Sequence, residues 1–330
     1  MPTSIKWQRV NAALNGARTA RPPFGLWQHF PNVDLAAVDL ATESIAYFRR
    51  YDMDYAKVQF RSSYGVEDWG SASDGYDDKI GFRITTKYVI EEPAGWHNLP
   101  RLPPDRDALG EQLQVLSLVR DALSGEAPVI ATVFAPSMVA KFLAGDELFV
   151  RHLREAPDAL RAGLEAVAAT VADFGEACLQ NGADGIFYAI NTATRELLRD
   201  DAEYETLAAF DRAVAEQLHA TSKFTLVHLH GDDVFFDRFA DFPAHALNWY
   251  DRAGKPALAQ ARIRTALPLA GGIDHDRTLL TGSANQIAGE IAEAIAQLDG
   301  RGLLLAPGCC IPVATPHANL LAVRNALEQL

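Results

Sequence analysis

The sequence of 330 residues has no long apolar run and few cysteines. No stretch approaches the ~20 apolar residues that a membrane-spanning helix needs. The first twenty residues lack the apolar core and cleavage site of a signal peptide. Three cysteines, Cys178, Cys309 and Cys310, are too few for a disulfide framework. These absences predict a cytoplasmic protein that does not span a membrane.

Basic side chains are also in deficit, with 30 Lys and Arg against 43 Asp and Glu, which gives a formal charge of −13. Such a charge repels phosphate backbones and anionic headgroups, so nucleic acids and membranes are disfavoured as partners and a small-molecule substrate is expected. The hydrophobic content of 48% is typical of a globular chain. The length fits one large α/β barrel.

Eight short apolar runs predict strands, and longer amphipathic stretches between them predict helices. The predicted strands are 24–29, 55–60, 129–134, 185–190, 224–230, 246–250, 267–273 and 302–306. The predicted helices are 35–51, 106–124, 155–181, 204–220, 284–298 and 316–330.

This alternation predicts an α/β protein formed by a single (β/α)8 TIM barrel over residues 1–330. A doubly wound open sheet is the competing fold. Its dinucleotide-binding version is disfavoured because no G-x-G-x-x-G follows the first strand. The stretch at about 61–104 is too long for a simple loop. We expect it to be a lid-like insertion over the C-terminal face of the barrel, with one or two strands of its own.

Catalytic groups of such barrels lie where the strands end, at the C-terminal face. The predicted strand ends are rich in histidine, cysteine and amide side chains. These candidates are His29, Gln59, Arg61, Asn191, His228, His230, Asn248, Asp274, Cys309 and Cys310.

A His-x-His pattern in "LVHLHGDD" indicates a metal site. Residues two apart on a strand face the same side, so His228 and His230 can enter the barrel mouth together. Cys309 in "LAPGCC" ends the last predicted strand, and two imidazoles with one thiolate are a zinc ligand set with an open fourth position. The alternative is that both histidines are packed and hydrogen-bonded, and that the cysteines form a small apolar corner.

Asp274 and Asn248 are candidate catalytic residues that orient the substrate. The alternatives are a helix N-cap for Asp274 and a turn for Asn248. His29, Gln59 and Asn191 are candidate substrate-binding residues at the rim.

Arg61 is a fourth candidate for substrate binding, since it could clamp a carboxylate. The alternative is an ion pair of Arg61 with Glu67 or Asp68.

The chain resembles the uroporphyrinogen decarboxylase superfamily of (β/α)8 barrels. The segments that carry this resemblance are "RPPFGLWQHF", "FAPSMVAKFLAG", "NGADGIFYAI", "LAGGID" and "PGCCIPVATPHANL", in this order. The superfamily includes the haem-pathway decarboxylase and zinc-dependent methyltransferases that move methyl groups between corrinoids and thiols. Barrels of this family often pair, so the resemblance also implies a possible homodimer.

The decarboxylase branch places an Arg-rich "RQAGR"-like segment after the first strand, to hold the carboxylates of a tetrapyrrole. The matching residues here are Trp-Gln-His-Phe-Pro at 27–31, without arginine. The family's active-site tyrosine corresponds to Phe142, and its late histidine falls near Cys309. These departures disfavour uroporphyrinogen as the substrate.

The methyltransferase branch has a His-x-Cys-Gly segment and a later Pro-Gly-Cys. This sequence has His-Leu-His-Gly at 228–231 and Pro-Gly-Cys at 307–309, so His230 stands where that branch has cysteine. One thiolate with two imidazoles leaves a zinc site at +1, whereas two thiolates make it neutral. Cys310 could supply a second sulfur if the loop bends.

The sequence therefore favours a zinc-dependent methyltransferase that activates a thiol, with a corrinoid as methyl donor and a corrinoid protein as partner. One alternative is a metal-free decarboxylase that acts on a small carboxylic acid or a tetrapyrrole, with Arg61 holding the carboxylate and Asp274 stabilising a protonated intermediate. The other is a non-catalytic barrel that binds a ligand.

Overall fold

The computed structural model describes residues 4–330. Its strands are β1 (Ala56–Val58), β2 (Ala72–Tyr76), β3 (Arg83–Lys87), β4 (Val129–Phe134), β5 (Gly185–Ile190), β6 (Phe224–Leu229), β7 (Ala246–Asn248), β8 (Leu269–Ile273) and β9 (Leu303–Pro307). Its helices are α1 (Ile5–Leu14), α2 (Ala37–Tyr51), α3 (Tyr64–Glu67), α4 (Asp107–Ala122), α5 (Pro136–Ala144), α6 (Asp146–Glu155), α7 (Pro157–Gln180), α8 (Asp201–His219), α9 (Leu258–Arg264), α10 (Thr278–Thr281), α11 (Ala284–Gln297) and α12 (His317–Glu328). Two 3₁₀ helices cover Pro93–Asn98 and Phe236–Phe239.

Seven strands form one parallel sheet in the order β1-β4-β5-β6-β7-β8-β9. Strands β4, β5 and β6 are buried along their whole length, as expected for strands covered on both faces. Parallel pairing brings the carboxyl ends of all seven strands to one edge. The predicted side chains at those ends therefore meet on one face of the molecule.

Seven of the eight predicted barrel strands are formed, but the segment at 24–29 is not a regular strand. Phe24 makes only an isolated bridge to Leu305. The segment nevertheless has hydrogen bonds on both sides, from the Gly25 nitrogen to the Leu305 oxygen (3.2 Å) and from the Asp54 nitrogen to the Phe24 oxygen (2.9 Å). Two prolines precede it and cannot donate to a ladder. The ring is thus closed by an irregular segment between β9 and the start of β1.

Helix α7 shows why the amphipathic stretches form the helical layer that packs around the sheet. It begins with proline, which suits the first turn of a helix because no intrahelical partner exists for its missing N–H. Leu160, Leu164, Val167 and Phe174 are buried on one stripe. The helix is followed by Gly182 with a φ of 92°, a left-handed conformation that favours glycine.

The segment at 61–104 contains the short helix α3, an antiparallel pair formed by β2 and β3, and a 3₁₀ helix. The pair is held to the barrel by the Tyr76 hydroxyl, which donates to Asp34 at 2.7 Å. Between the two strands, Ile80 and Phe82 reach the C-terminal face of the sheet.

Within residues 4–330, no helix has the length and apolar composition needed to cross a bilayer.

Candidate metal centre

A cavity of about 260 Å³ opens at the carboxyl ends of the parallel strands. Aromatic and aliphatic side chains make up much of its wall, which is typical of small-molecule sites. The apolar lining residues are Trp27, Ile80, Phe82, Phe134, Met138, Phe142, Phe187 and Ala189. The polar lining residues are His29, Lys57, Gln59, Thr132, Lys141, Asn191, His228, His230, Cys309 and Cys310.

The structure brings most of the predicted site residues together in this cavity. Those that line it are His29, Gln59, Asn191, His228, His230, Cys309 and Cys310. Arg61, Asn248 and Asp274 do not line it.

Three side chains converge on one point at the cavity wall. The Cys309 sulfur lies 3.7 Å from His228 Nε2 and 3.5 Å from His230 Nδ1. The ligand atoms of the three residues all lie within 4.8 Å of one another. Tetrahedral zinc, with bonds of about 2.0 Å to nitrogen and 2.3 Å to sulfur, holds such atoms about 3.5 Å apart. The donor atoms and their spacing are therefore compatible with zinc.

Asn248 lies behind His228 and determines which of its nitrogens carries the proton. The Asn248 amide nitrogen donates to the backbone oxygens of Ala270 (2.9 Å) and Pro307 (3.1 Å). Its oxygen must therefore face His228 Nδ1, which lies 2.6 Å away and donates to it. The Nε2 lone pair of His228 is left pointing toward Cys309. The residue predicted to orient a substrate instead orients a candidate metal ligand.

Both histidines are held neutral. Burial and the neighbouring His230 lower the pKa of His228 to about 3. Burial, followed by the positive charge of Lys141, also lowers the pKa of His230. A neutral imidazole is the form that binds a metal, so no proton has to be removed at neutral pH.

The two adjacent thiols differ in their acidity. Hydrogen bonds from Cys310 and then Tyr250 lower the pKa of Cys309. The same contact with Cys309, together with burial, raises the pKa of Cys310 to about 12. Cys309 is thus the more acidic thiol of the pair. The Cys310 sulfur lies 3.9 Å from the Gln59 oxygen, and Cys310 is not part of the three-residue cluster.

Arg61 is neutralised outside the cavity. Its guanidinium is paired with Glu67 at 2.9 Å and with Glu111 at 2.7 Å, and the residue is 5% exposed. The predicted alternative of a pair with Glu67 is therefore the one observed. An arginine with both ends occupied by carboxylates has no free face for a substrate.

Asp274 likewise forms hydrogen bonds with its neighbours in the chain rather than lining the cavity. Its carboxylate accepts hydrogen bonds from the backbone nitrogens of Asp276 and Arg277 and from the Arg277 side chain at 2.8 Å. Burial alone would raise the pKa of Asp274, but these bonds hold it below its ordinary value. The residue stabilises the turn that leads into α10, while the N-cap residue of that helix is Arg277.

Several polar residues at the cavity, Lys57 and Tyr250 among them, were not predicted. Lys57 lies in β1, two positions before Gln59, and both line the cavity. A lysine at an inward position of an otherwise apolar strand was the available signal. Tyr250 follows Asn248 by two residues, and its hydroxyl lies 2.8 Å from His230 Nδ1. Burial and the adjacent Cys309 raise the pKa of Tyr250, so its hydroxyl keeps its proton.

The sequence also matches known proteins. MtaA of Methanosarcina barkeri (strain Fusaro / DSM 804), a methylcobamide:CoM methyltransferase, is 26% identical over 226 residues, which cover 68% of this chain and 65% of that relative. The chain thus matches just under two thirds of the length of that relative. MtbA of Methanosarcina acetivorans, also a methylcobamide:CoM methyltransferase, is 22% identical over 302 residues, covering 88% of this chain and 84% of that protein.

Solved structures show the same fold. A methyltransferase from Methanosarcina mazei superposes with a TM-score of 0.85 at 18% identity and covers 99% of both chains. A B12-independent methionine synthase from Shewanella sp. W3-18-1 superposes with a TM-score of 0.63 at 11% identity, covering 94% of this chain and 96% of that one. The α/β barrel fold predicted from the sequence is therefore confirmed. A model of the family described as uroporphyrinogen decarboxylase (URO-D) matches residues 8–330, and the chain therefore belongs to that family.

Proposed function

We propose that this protein is a corrinoid-dependent methyltransferase whose His228, His230 and Cys309 bind zinc. The observation that carries the proposal is the convergence of these three ligand atoms within 4.8 Å at the wall of a cavity. The relatives named as methylcobamide:CoM methyltransferases support a corrinoid methyl donor, a corrinoid protein as partner and a small thiol as acceptor.

Bound zinc would supply Lewis acidity that favours the deprotonated form of a thiol at the open fourth position. The residues of the chain prepare that position. Asn248 fixes His228 with its Nε2 free, and the Cys309 thiol is more acidic than that of Cys310. Tyr250 keeps its proton, and its hydroxyl donates a hydrogen bond to the Cys309 sulfur. The aromatic wall, including Phe187 and Phe142, would limit the entry of water.

The segment at 61–104 is proposed as a lid on this cavity. Ile80 and Phe82 from its hairpin line the cavity. The Phe82 ring lies 5.4 Å from the His29 ring and 5.7 Å from the Phe142 ring, so it bridges two walls. Such a cover would enclose a small acceptor and admit a methyl donor only from the open side.

The alternative of a metal-free decarboxylase required Arg61 for a carboxylate and Asp274 for an intermediate. Each is bound to a partner of opposite charge, and neither lines the cavity. The geometry therefore favours the metal-dependent proposal. The expected homodimer and cytoplasmic location stay predictions, which light scattering on the purified protein and cell fractionation would test.

The proposal is tested by metal analysis of the purified protein. We expect about one zinc per chain in the wild type and its loss in His230→Ala and Cys309→Ser. Cys310→Ser is the matched control and should retain the metal, since the Cys310 sulfur faces Gln59. Methyl transfer from methylcobalamin to coenzyme M should depend on the same ligands. A wild-type protein without metal after zinc supplementation would contradict the proposal.

A further inference from the structure

A second pocket, of about 530 Å³, lies at the amino ends of β8 and β9. Because the sheet is parallel, this is the face of the barrel opposite the candidate metal centre. Three arginines line the pocket, Arg262, Arg264 and Arg301, whereas no Asp or Glu among the described residues does. The pocket thus concentrates positive charge on a chain whose formal charge is −13.

Arg262 has no carboxylate partner in the part of the chain that the structure describes. Its Nη2 atom donates to the backbone oxygen of Thr265, and burial lowers the pKa of the guanidinium group. A guanidinium group carries five N–H donors, so most of those of Arg262 are left for another acceptor. Gly302 leaves the Nη1 atom open to the pocket, because a Cβ at position 302 would lie 3.8 Å from it.

The other two arginines have carboxylate neighbours that neutralise them only weakly. Arg264 lies 3.3 Å from Asp237, and Arg301 lies 3.6 Å from Asp299. Each of these four side chains is at least 44% exposed, so water and salt screen both attractions. Neither acid lines the pocket, and both guanidinium groups are therefore available to a ligand.

The chemistry of the lining favours a phosphate group. The planar fork of arginine matches two oxygens of an anion, and a phosphate group has enough oxygens to accept from more than one guanidinium at once. Ile263 adds an apolar surface, since it lines the pocket and is 88% exposed. The volume is that of a small-molecule site. A nucleic acid would extend beyond the pocket onto the acidic surface, which repels its backbone.

We propose that Arg262, Arg264 and Arg301 form a binding site for a phosphorylated small molecule at the amino ends of the strands. Arg262 supplies the guanidinium group whose charge the folded chain leaves unpaired, and the phosphate group supplies the missing countercharge. The site is separate from the cavity at the carboxyl ends and does not depend on the proposed methyl transfer.

Calorimetric titration with pyrophosphate tests this on the purified protein after unbound zinc has been removed. We expect the wild type to bind pyrophosphate with an affinity that falls as salt is added. Malonate, a dicarboxylate with fewer oxygens and less charge, should bind about 10-fold more weakly. Arg262→Met should weaken pyrophosphate binding by about 10- to 100-fold, because charge-assisted hydrogen bonds are lost. Arg301→Met changes an exposed side chain and should also weaken binding, which keeps the test valid if Arg262→Met does not fold.

Arg120→Met is the matched control. Arg120 is also partly buried and donates to a backbone oxygen, that of Gly182 at 2.8 Å, but it does not line the pocket. Cys309→Ser is a second control, because pyrophosphate bound to zinc in the other cavity would be lost in that variant. Both variants should bind pyrophosphate as tightly as the wild type.

Chemical labelling locates the site without any substitution. Phenylglyoxal modifies accessible guanidinium groups, and mass spectrometry of peptides measures the extent of modification at each arginine. Pyrophosphate should protect Arg262 and Arg301 and leave the exposed Arg151 of α6 unprotected. The proposal is overturned if pyrophosphate does not bind, if malonate binds equally well, or if Cys309→Ser loses the binding that Arg262→Met and Arg301→Met retain.

Discussion

At the scale of single residues, the orientation of His228 depends on Asn248, which is completely buried. Its amide nitrogen is fixed by two backbone oxygens, and its own oxygen holds the His228 Nδ1 proton. We expect Asn248→Ala to weaken zinc binding by about 10- to 100-fold, because the ring is then free to turn. Competition with a coloured chelator measures this change.

Asn319→Ala is the matched control for that experiment. Asn319 also donates from its amide nitrogen to two backbone oxygens, those of Leu279 and Gly282, but it lies away from the cavity. Zinc affinity should stay at the wild-type value in this variant. Equal losses in both variants would mean that the effect of Asn248 is only structural.

At the scale of elements, a buried carboxylate connects α8 to the start of α5. Asp211 accepts hydrogen bonds from the Ser137 nitrogen (2.9 Å), the Ser137 hydroxyl (2.5 Å) and the Tyr204 hydroxyl (2.7 Å). Helix α5 carries Met138 and Phe142 of the cavity wall. The connection therefore positions part of the site.

The pH dependence of stability tests this connection. Burial raises the pKa of Asp211 to about 6 from 3.8, although its hydrogen bonds oppose the shift. The folded protein then binds this proton more tightly than the unfolded chain does. The protonated Asp211 carboxyl therefore contributes most to the free energy of unfolding below pH 4, and this contribution declines as the pH rises to 6. The decline corresponds to about 3 kcal/mol, with 1.36 kcal/mol for each pKa unit.

We therefore expect the stability of the wild type relative to Asp211→Asn to fall between pH 4 and pH 6. Urea unfolding at several pH values measures the difference in the free energy of unfolding. Asp241→Asn, at an exposed carboxylate paired with Arg212, should show no such fall. A difference that does not change with pH would contradict the assignment to Asp211.

At the scale of the whole molecule, the ring of strands is closed by side chains rather than by a regular ladder. Asp54 is fully buried and is paired with Arg9 and with Arg21, the latter at 2.9 Å. The same carboxylate accepts a hydrogen bond from the Phe24 nitrogen at 3.0 Å. One residue thus ties α1 and the irregular closing segment to the start of β1.

Removal of that charge should loosen the closure. We expect Asp54→Asn to lower the free energy of unfolding by about 3 kcal/mol, because two guanidinium groups lose their partner. Differential scanning calorimetry would show this as a lower unfolding temperature. Asp299→Asn, at an exposed carboxylate near Arg18 and Arg301, is the control and should change little. An unchanged unfolding temperature in Asp54→Asn would show that the closure does not depend on Asp54.

The sequence by itself determined the barrel and its three candidate metal ligands. Apolar periodicity is local, so seven strands and the buried stripe of α7 could be predicted from short windows. The spacing of His228 and His230 is also local, because residues two apart on a strand share a face. The position of Cys309 followed from the end of the last strand.

Only the tertiary structure decided which polar side chains at the strand ends remain free. Glu111, fifty positions along the chain, forms an ion pair with Arg61. The Asn248 side-chain amide forms hydrogen bonds with His228 and with two backbone oxygens that are distant in the sequence. The closure at Asp54 likewise depends on residues that folding brings together. Hydrogen bonds and ion pairs act over a few ångströms in space, and local sequence patterns do not specify which distant partners come within that range.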